Sequence, residues 1–345
     1  MIRCLIAGRV AKKMKEITTI ISMFLVVQLL GLCVGAIMSS PVNVEDFSGL
    51  NVAPSKDSGD LFNSAYFLVA VILGAVFLIA LIKNYRGVFL FKALETFIVF
   101  FASFIVFLAF LYQFSGFLAS INPILGLAEL WAFAGAIALA VLKYRMPNLK
   151  NIVAVISSAG VGALFGFSLN LIPAILFIIG LSIYDVVAVF YTKHMLTMAR
   201  EMSKRSMSFS VSVESIEKRK ATSEEKKKMM EEAEAKHKEE IRGLKASGKG
   251  AVPKAYAKIE VPKEYIEERR HLELGTGDMA IPLMLSVSAL RFGGPGLALA
   301  VVFGACIGLY FTLDYVFSRR TFLPALPPIS AGALIALAIA WLVRI

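Results

Sequence analysis

The sequence predicts an all-α, polytopic membrane protein with nine transmembrane helices, on three observations. The chain of 345 residues is 58% hydrophobic and has a mean hydropathy of +0.73, which is too apolar for a soluble core covered by charged residues. Apolar runs long enough to cross a bilayer recur along the chain. Charge is concentrated elsewhere, because 20 of the 36 Lys and Arg residues fall between positions 193 and 270.

The apolar runs define the predicted spans. The first, residues 17–39, follows a basic N-terminus and is longer than the apolar core of a signal peptide, so it is predicted to be a spanning helix. The other spans are predicted at residues 62–82, 93–114, 121–142, 151–167, 171–192, 272–290, 297–317 and 322–343.

These spans divide the chain into a six-helix membrane part (1–192), a charged loop (193–270) and a three-helix membrane part (271–345). The loop is interpreted as a solvated tether, partly helical or disordered. Apolar residues alternate with serines at 207–213, which predicts a strand, and residues 222–225 form a capping box, which predicts the start of a helix. Residues 255–261 predict a second short strand.

The orientation follows from the Lys and Arg residues outside the long loop. Counted over alternate connections, 13 of them lie on the side of the N-terminus and 3 on the other side. Because basic connections stay in the cytoplasm, the N-terminus and the 193–270 loop are predicted to be cytoplasmic and the C-terminus outside the cell membrane.

Several functions are disfavoured by composition. The basic residues of the loop are mixed with acids, which favours water and anionic lipid headgroups over nucleic acid. Three scattered cysteines and three histidines show no metal-binding spacing, so we expect neither a metal site nor a disulfide framework. Residues 243–249 match the spacing of a phosphate-binding loop, but Gly250 replaces the Ser or Thr that would hold magnesium. No cofactor is expected.

Two aspartates lie inside predicted spans, Asp185 in the sixth and Asp278 in the seventh. An ionisable side chain there costs roughly 2.5 to 3.5 kcal/mol, so it usually has a function. At about 1.5 Å per residue, both aspartates are predicted to lie about 9–11 Å from the cytoplasmic face, which would let adjacent helices bring them together.

Two neighbouring carboxyl groups in a low-dielectric site share one proton, which suits peptide hydrolysis. The ionised group takes a proton from water while the protonated group donates to the peptide carbonyl, without a metal or a covalent nucleophile. Gly275 and Gly277 leave room beside Asp278, and Pro282 frees a carbonyl of the same helix. Tyr184 either hydrogen-bonds near the pair or only packs. Three prolines within 323–328 predict an extended stretch at the same depth.

Three motifs therefore occur in order and at matching depths. They are Tyr184-Asp185, Gly275-Thr276-Gly277-Asp278 and Pro324-Ala325-Leu326. Together they resemble the motifs of the presenilin and signal peptide peptidase family of intramembrane aspartyl proteases, and the resemblance covers all nine spans.

The resemblance implies a presenilin-like fold in which Asp185 and Asp278 are the catalytic pair. It implies that the Pro-Ala-Leu stretch at 324–326 shapes the active site and a substrate groove. The cytoplasmic N-terminus is similar to the presenilin branch, and the short extensions resemble a compact archaeal-type member that acts without obligate partner subunits. The residues predicted to support the active site are Tyr184, Gly275, Thr276 and Gly277.

The expected substrates are transmembrane segments, whose peptide bonds are hidden inside the hydrogen bonds of a helix. We expect part of the substrate to unwind and to pair as a strand near Leu272 and Leu274, or with the Pro-Ala-Leu stretch. The alternative function is a transporter or ion-leak channel that uses the same acids as an ion or proton relay, although the halves of the chain show no internal symmetry. Glu95 and Asp314, near the ends of spans, are predicted to be structural, and the role of Glu129 stays open.

Overall fold

The computed structural model describes residues 2–55, 57, 59–85, 87, 89–124, 126–146, 149–191, 210–220, 227, 230, 231, 265–319 and 324–343. The chain forms two compact units, one of Met1–Val213 with Glu273–Ile345 and the other of Glu214–Leu272. The first unit contains the long helices of the described ranges, and the second contains most of a pair of strands.

Nine long helices occur within the described ranges, and each overlaps one predicted span. They are α1 (Ile2–Met38), α2 (Leu61–Asn84), α3 (Phe89–Ile121), α4 (Ala128–Arg145), α5 (Lys150–Ser168), α6 (Leu171–Val186), α7 (Thr276–Gly293), α8 (Pro295–Arg319) and α9 (Leu326–Val343). A short helix, Val44–Ser48, follows α1, and a π-helical turn, Val187–Tyr191, continues α6.

Seven helices of the described part are long and apolar enough to cross a membrane. The other two are α4, which contains Glu129, Lys143 and Arg145, and α7, which contains Asp278 and Arg291. The helical, multi-pass part of the predicted fold class is confirmed by these helices, whereas a total of exactly nine membrane crossings stays a prediction.

Two helix boundaries differ from those predicted. The sequence predicts an end of the third span at residue 114, but α3 continues to Ile121 and stops where Pro123 disfavours helical backbone for Asn122. The seventh span is predicted from residue 272, but 272–275 are strand and α7 begins at Thr276. The alternation of polar and apolar residues from His271 onwards explains that strand.

Helix α7 packs against α1 and α5, and glycines on both of these helices lie at the contact. A Cβ atom added to Gly31 of α1 would overlap the side chain of Leu283, and one added to Gly162 of α5 would lie 2.7 Å from the carbonyl oxygen of Ala280. Apolar burial does not drive helices together in lipid, so close contact of this kind must supply much of the association. The glycines of α1 and α5 therefore fix the place of α7.

Helix α6 packs against α2, α7 and α9, and α9 in turn packs against α8. A Cβ atom on Gly304 of α8 would overlap the carbonyl oxygen of Gly332, and one on Gly308 would overlap that of Pro328. Small residues on α8 thus let the first turns of α9 approach closely.

The strands β1 (Ser210–Lys220) and β2 (Tyr265–Gly275) form a two-stranded sheet. β1 overlaps the strand predicted at 207–213 but extends further towards the C-terminus. The predicted helix start at 222–225 and the predicted strand at 255–261 lie outside the described residues.

Candidate active site

Asp278 is the third residue of α7. The backbone N–H of Gly275, immediately before the helix, donates a hydrogen bond to the Asp278 carboxyl group. This is the position from which an acid normally reaches back to the start of a helix, and a negative charge there is also favoured by the helix dipole. The sequence predicts Asp278 about six residues into its helix, and this position is wrong because the four residues 272–275 are strand.

Asp185 lies at the opposite end of its helix, one residue before the end of α6, and is only 7% exposed. The backbone N–H of Leu326, at the start of α9, donates a hydrogen bond to its carboxyl group. A π-helical turn begins two residues later at Val187, a distortion that is frequent at functional sites. The Asp185 carboxyl group is thus held by α9 as well as by its own helix.

The two carboxyl groups are close enough to repel one another electrostatically when both are ionised. Their helices, α6 and α7, pack against each other. Asp185 is buried and Asp278 is half-buried, so water screens the repulsion poorly. A single proton shared by the two groups would relieve that repulsion.

The Pro-Ala-Leu stretch contributes the backbone donor to Asp185. Pro324 and Leu326 are buried, and Ala325 is half-buried. The prediction of extended structure over 323–328 is wrong beyond Ala325, because Leu326, Pro327 and Pro328 form the first turn of α9. Proline is tolerated there because the first N–H groups of a helix have no acceptor within it. Residue 323 is outside the described ranges.

The two glycines of the Gly275-Thr276-Gly277-Asp278 motif have different surroundings. A Cβ atom on Gly275 would lie 3.2 Å from Oδ2 of Asp278, whereas one on Gly277 would meet nothing within 4 Å. Gly277 is also exposed. Gly275 therefore permits a close contact with the carboxyl group, and Gly277 leaves open space beside it.

The remaining predicted site residues lie on three segments. Thr276 and Tyr184 are half-buried, and Tyr184 is within electrostatic range of Asp185. Leu272 and Leu274 both lie in β2. Leu274 is buried, while the side chain of Leu272 is outside the described part of the chain.

Sequence reasoning missed a pair of serines beside the motifs. Ser182 is one turn before Asp185, Ser330 is one turn after Leu326, and their Oγ atoms lie 2.6 Å apart. Oγ of Ser330 also donates to the carbonyl oxygen of Leu326, at 2.8 Å. The sequence does contain a signal for this pair, because each serine is a polar residue in an apolar stretch, one helical turn from a motif.

Two other acids have partners away from this pair. Glu95 of α3 forms an ion pair with Lys143 of α4, and both side chains are buried. The hydroxyl group of Tyr112 donates to Glu129 at 3.3 Å. Among the residues described, no group of three or more His, Cys, Asp or Glu side chains is arranged to hold a metal ion.

A bundle of apolar helices in which one aspartate ends a helix and a second begins the next helix, packed against the first, is the arrangement expected of an intramembrane aspartic protease. Over residues 21–345 the chain matches the family described as signal-peptide peptidase, presenilin aspartyl protease. The chain belongs to this family and is an aspartic endopeptidase that acts on transmembrane substrates within the bilayer.

Two solved structures of a presenilin family intramembrane aspartate protease, in space groups C222 and P2, are similar to this chain. The first has a TM-score of 0.57 and 20% identity, over 95% of this chain and 99% of its own. The second has a TM-score of 0.55 and 21% identity, over 94% of this chain and 96% of its own. This similarity is in the fold. No curated protein sequence matches the chain.

Proposed function

We propose that Asp185 and Asp278 together activate the water that hydrolyses the peptide bond. The observation that supports this most directly is the electrostatic proximity of the two carboxyl groups on packed helices. The ionised aspartate takes a proton from water, and the resulting hydroxide adds to the peptide carbon while the protonated aspartate donates to the carbonyl oxygen. The proton taken from water then passes to the leaving nitrogen as the carbon–nitrogen bond breaks. At the same time the other aspartate takes back a proton from one hydroxyl group of the diol, so that the carbonyl re-forms and the pair regains its starting protonation.

The backbone donors at the two helix ends support this pair. The N–H groups of Gly275 and Leu326 each hydrogen-bond to one carboxyl group, which limits its rotation. Bonds of this kind align the oxygens with the water and the peptide before reaction begins. Tyr184, Thr276 and Gly277 complete the surroundings of the pair in this proposal.

The test uses the purified chain alone, in lipid vesicles, with a peptide that contains one transmembrane segment. Asp185→Asn and Asp278→Asn keep the size of the side chain but remove its acid, so each is expected to abolish cleavage. Glu129→Gln removes an acid that hydrogen-bonds to Tyr112 instead, and it should cleave like the parent. Cleavage by the parent would also support our proposal that no partner subunit is required.

Cleavage that persists in both aspartate variants would contradict the proposed pair. Proton or ion flux that is lost in both variants, with no cleavage by the parent, would favour a relay function for the same acids.

For substrate binding, we propose a groove formed by residues of β2 and of the Pro-Ala-Leu stretch. These residues are Leu272, Leu274, Pro324, Ala325 and Leu326. β2 pairs with β1 along one edge. In this proposal the other edge of β2 pairs with the backbone of an unwound substrate.

Strand pairing by the substrate predicts a specific sensitivity to proline, which cannot donate a backbone hydrogen bond. A proline next to the cleaved bond should lower kcat/KM about tenfold or more, as expected for the loss of about 1.4 kcal/mol. Alanine at the same position is the control. Equal cleavage of the proline and alanine peptides would contradict pairing.

We further propose that the chain lies in the cell membrane with its N-terminus and the 193–270 loop in the cytoplasm and its C-terminus outside. The distribution of Lys and Arg residues supports this orientation. In this arrangement the loop is a tether between the membrane parts 1–192 and 271–345.

A further inference from the structure

Gln28 is an amide side chain in the apolar helix α1, and it is 0% exposed. Burial of such a group without hydrogen bonds costs about 2–7 kcal/mol. An aliphatic side chain of the same size would fill this position without that cost, so packing alone does not account for the amide.

The contact of Gln28 lies next to one of the proposed catalytic residues. Nε2 of Gln28 donates to the carbonyl oxygen of Met279 on α7, at 3.0 Å. Met279 is fully buried and follows Asp278 in the chain. Oε1 of Gln28 has no hydrogen-bond partner within the described part of the chain. The amide group of Gln28 therefore binds the first turn of α7 through its N–H group.

The first turn of α7 is where the helix is least supported by its own hydrogen bonds. Pro282 lies within α7 and has no N–H group, so the carbonyl group of Asp278 lacks the donor that normally lies four residues later. On its other side the turn begins directly after a strand, at Gly275. The side chain of Gln28 donates a hydrogen bond to the next carbonyl group, that of Met279. This bond comes from another helix, at the place where the hydrogen bonds within α7 are interrupted.

The packing of the same two helices keeps this donor within reach. Gly31 and Gly35, about one and two turns after Gln28 on α1, lie so close to α7 that an added Cβ atom would overlap or crowd Leu283 and Val287. These contacts bring the helices together independently of Gln28. The hydrogen bond can then set the rotation of the first turn of α7 rather than hold the two helices together.

We propose that Gln28 is a positioning residue that orients the Asp278 carboxyl group through the backbone of Met279. The proposal rests on the catalytic role proposed above for Asp278. In this role Gln28 touches neither water nor substrate, and it acts by limiting the movement of the turn that carries the acid.

The test replaces Gln28 in the full chain and separates turnover from stability. Gln28→Met keeps the length of the side chain without the amide, and Gln28→Asn keeps the amide but is one methylene too short to reach Met279. Each is expected to lower kcat about five- to tenfold, equivalent to about 1–1.4 kcal/mol, with KM unchanged. Affinity for an aspartyl-protease transition-state analogue should fall by a similar factor, because the analogue needs the same carboxyl geometry.

Val34→Ala is the matched control, because Val34 is fully buried on the same helix and packs in an apolar cluster. It should lower the thermal midpoint while the folded fraction keeps the parent's kcat and analogue affinity. For both Gln28 variants, the thermal midpoint should change less than for Val34→Ala.

Parental kcat and analogue affinity in the folded fraction of Gln28→Met or Gln28→Asn would overturn the proposal, whatever their thermal midpoints. If one variant does not fold, the other decides. Asp278→Asn is measured in parallel. Cleavage that persists in this variant would overturn the proposed catalytic pair itself. Loss of cleavage in this variant, together with normal turnover by the Gln28 variants, would overturn only the role of Gln28.

Discussion

The two helices that carry the aspartates are held in different ways. α7 contacts α5 through glycines, and a Cβ atom on Gly162 would meet the backbone oxygen of Ala280. α6 contacts α2 through a glycine as well, but a Cβ atom on Gly180 would meet only the end of the Leu68 side chain, 3.0 Å away. A side chain can rotate away and a helix backbone cannot, so the contact of α7 is the more rigid.

The difference indicates that the two aspartates are positioned by different kinds of contact. The Asp278 carboxyl group belongs to a helix whose backbone lies against glycines of α5, whereas Asp185 is coupled to α9 through the N–H group of Leu326 and through Ser182 and Ser330. A change in the position of α9 would therefore alter the Asp185 side of the pair more than the Asp278 side.

The largest expected effect is that of Gly162→Ala, compared with Gly180→Ala. Overpacking against the backbone of α7 should cost about 1–3 kcal/mol and lower the thermal midpoint or the yield of folded protein. Gly180→Ala should cost less, because Leu68 can rotate. Gly74→Ala is the control, since its Cβ atom would meet nothing within 4 Å. Equal losses in Gly162→Ala and Gly180→Ala, measured by thermal unfolding in detergent, would remove the distinction between the helices.

A smaller effect is expected within the Gly275-Thr276-Gly277-Asp278 motif. The Cβ atom of Gly275→Ala would lie 3.2 Å from Oδ2 of Asp278, so the carboxyl group must shift by a few tenths of an ångström. We expect kcat to fall about tenfold, because misplacement by 1 Å can cost about a hundredfold. Gly277→Ala meets open space and should mainly raise KM by narrowing the approach to Asp278. Steady-state cleavage of one peptide separates the two, and a reversed pattern would contradict the geometry.

The smallest effect is expected for the serine pair. Interhelical hydrogen bonds in membranes average about 0.6 kcal/mol in double-mutant cycles, which is about threefold in an equilibrium constant. Ser182→Ala and Ser330→Ala should therefore be non-additive by about that amount in unfolding free energy. Among the described residues, the acceptors of the Ser157 hydroxyl group are carbonyl oxygens of its own helix, so Ser157→Ala should be additive with Ser182→Ala. Full additivity of the 182 and 330 pair would show that their hydroxyl groups do not couple α6 to α9.

The parts of the fold that the sequence predicts well are those set by local composition. Long apolar runs located the helices. An ionisable residue inside such a run is conspicuous, so the sequence alone predicts Asp185 and Asp278 as the catalytic candidates, and their role stays a prediction. The predicted helix boundaries were wrong at β2 and at the start of α9, for example. At β2 polar and apolar residues alternate and form a strand, and at the start of α9 prolines occupy the first turn of the helix.

The interactions that no local pattern encodes depend on which helices meet. The donor from Leu326 to Asp185 joins two segments separated by about 140 positions, and that from Gln28 to Met279 joins two separated by 251. Each needs a particular rotation of both helices about their axes. A single sequence specifies the apolar face of a helix poorly when lipid surrounds it, because nearly every face is apolar.

The place of Asp278 at the start of α7 bears on what becomes of a cut substrate. α7 has 18 residues and is about 27 Å long, close to the thickness of the hydrocarbon layer of about 30 Å. In the proposed mechanism, scission takes place beside the third residue of α7 and therefore near one end of that helix. We expect one fragment to retain most of the apolar segment and to stay anchored, and the other to keep too few apolar residues to remain in the bilayer.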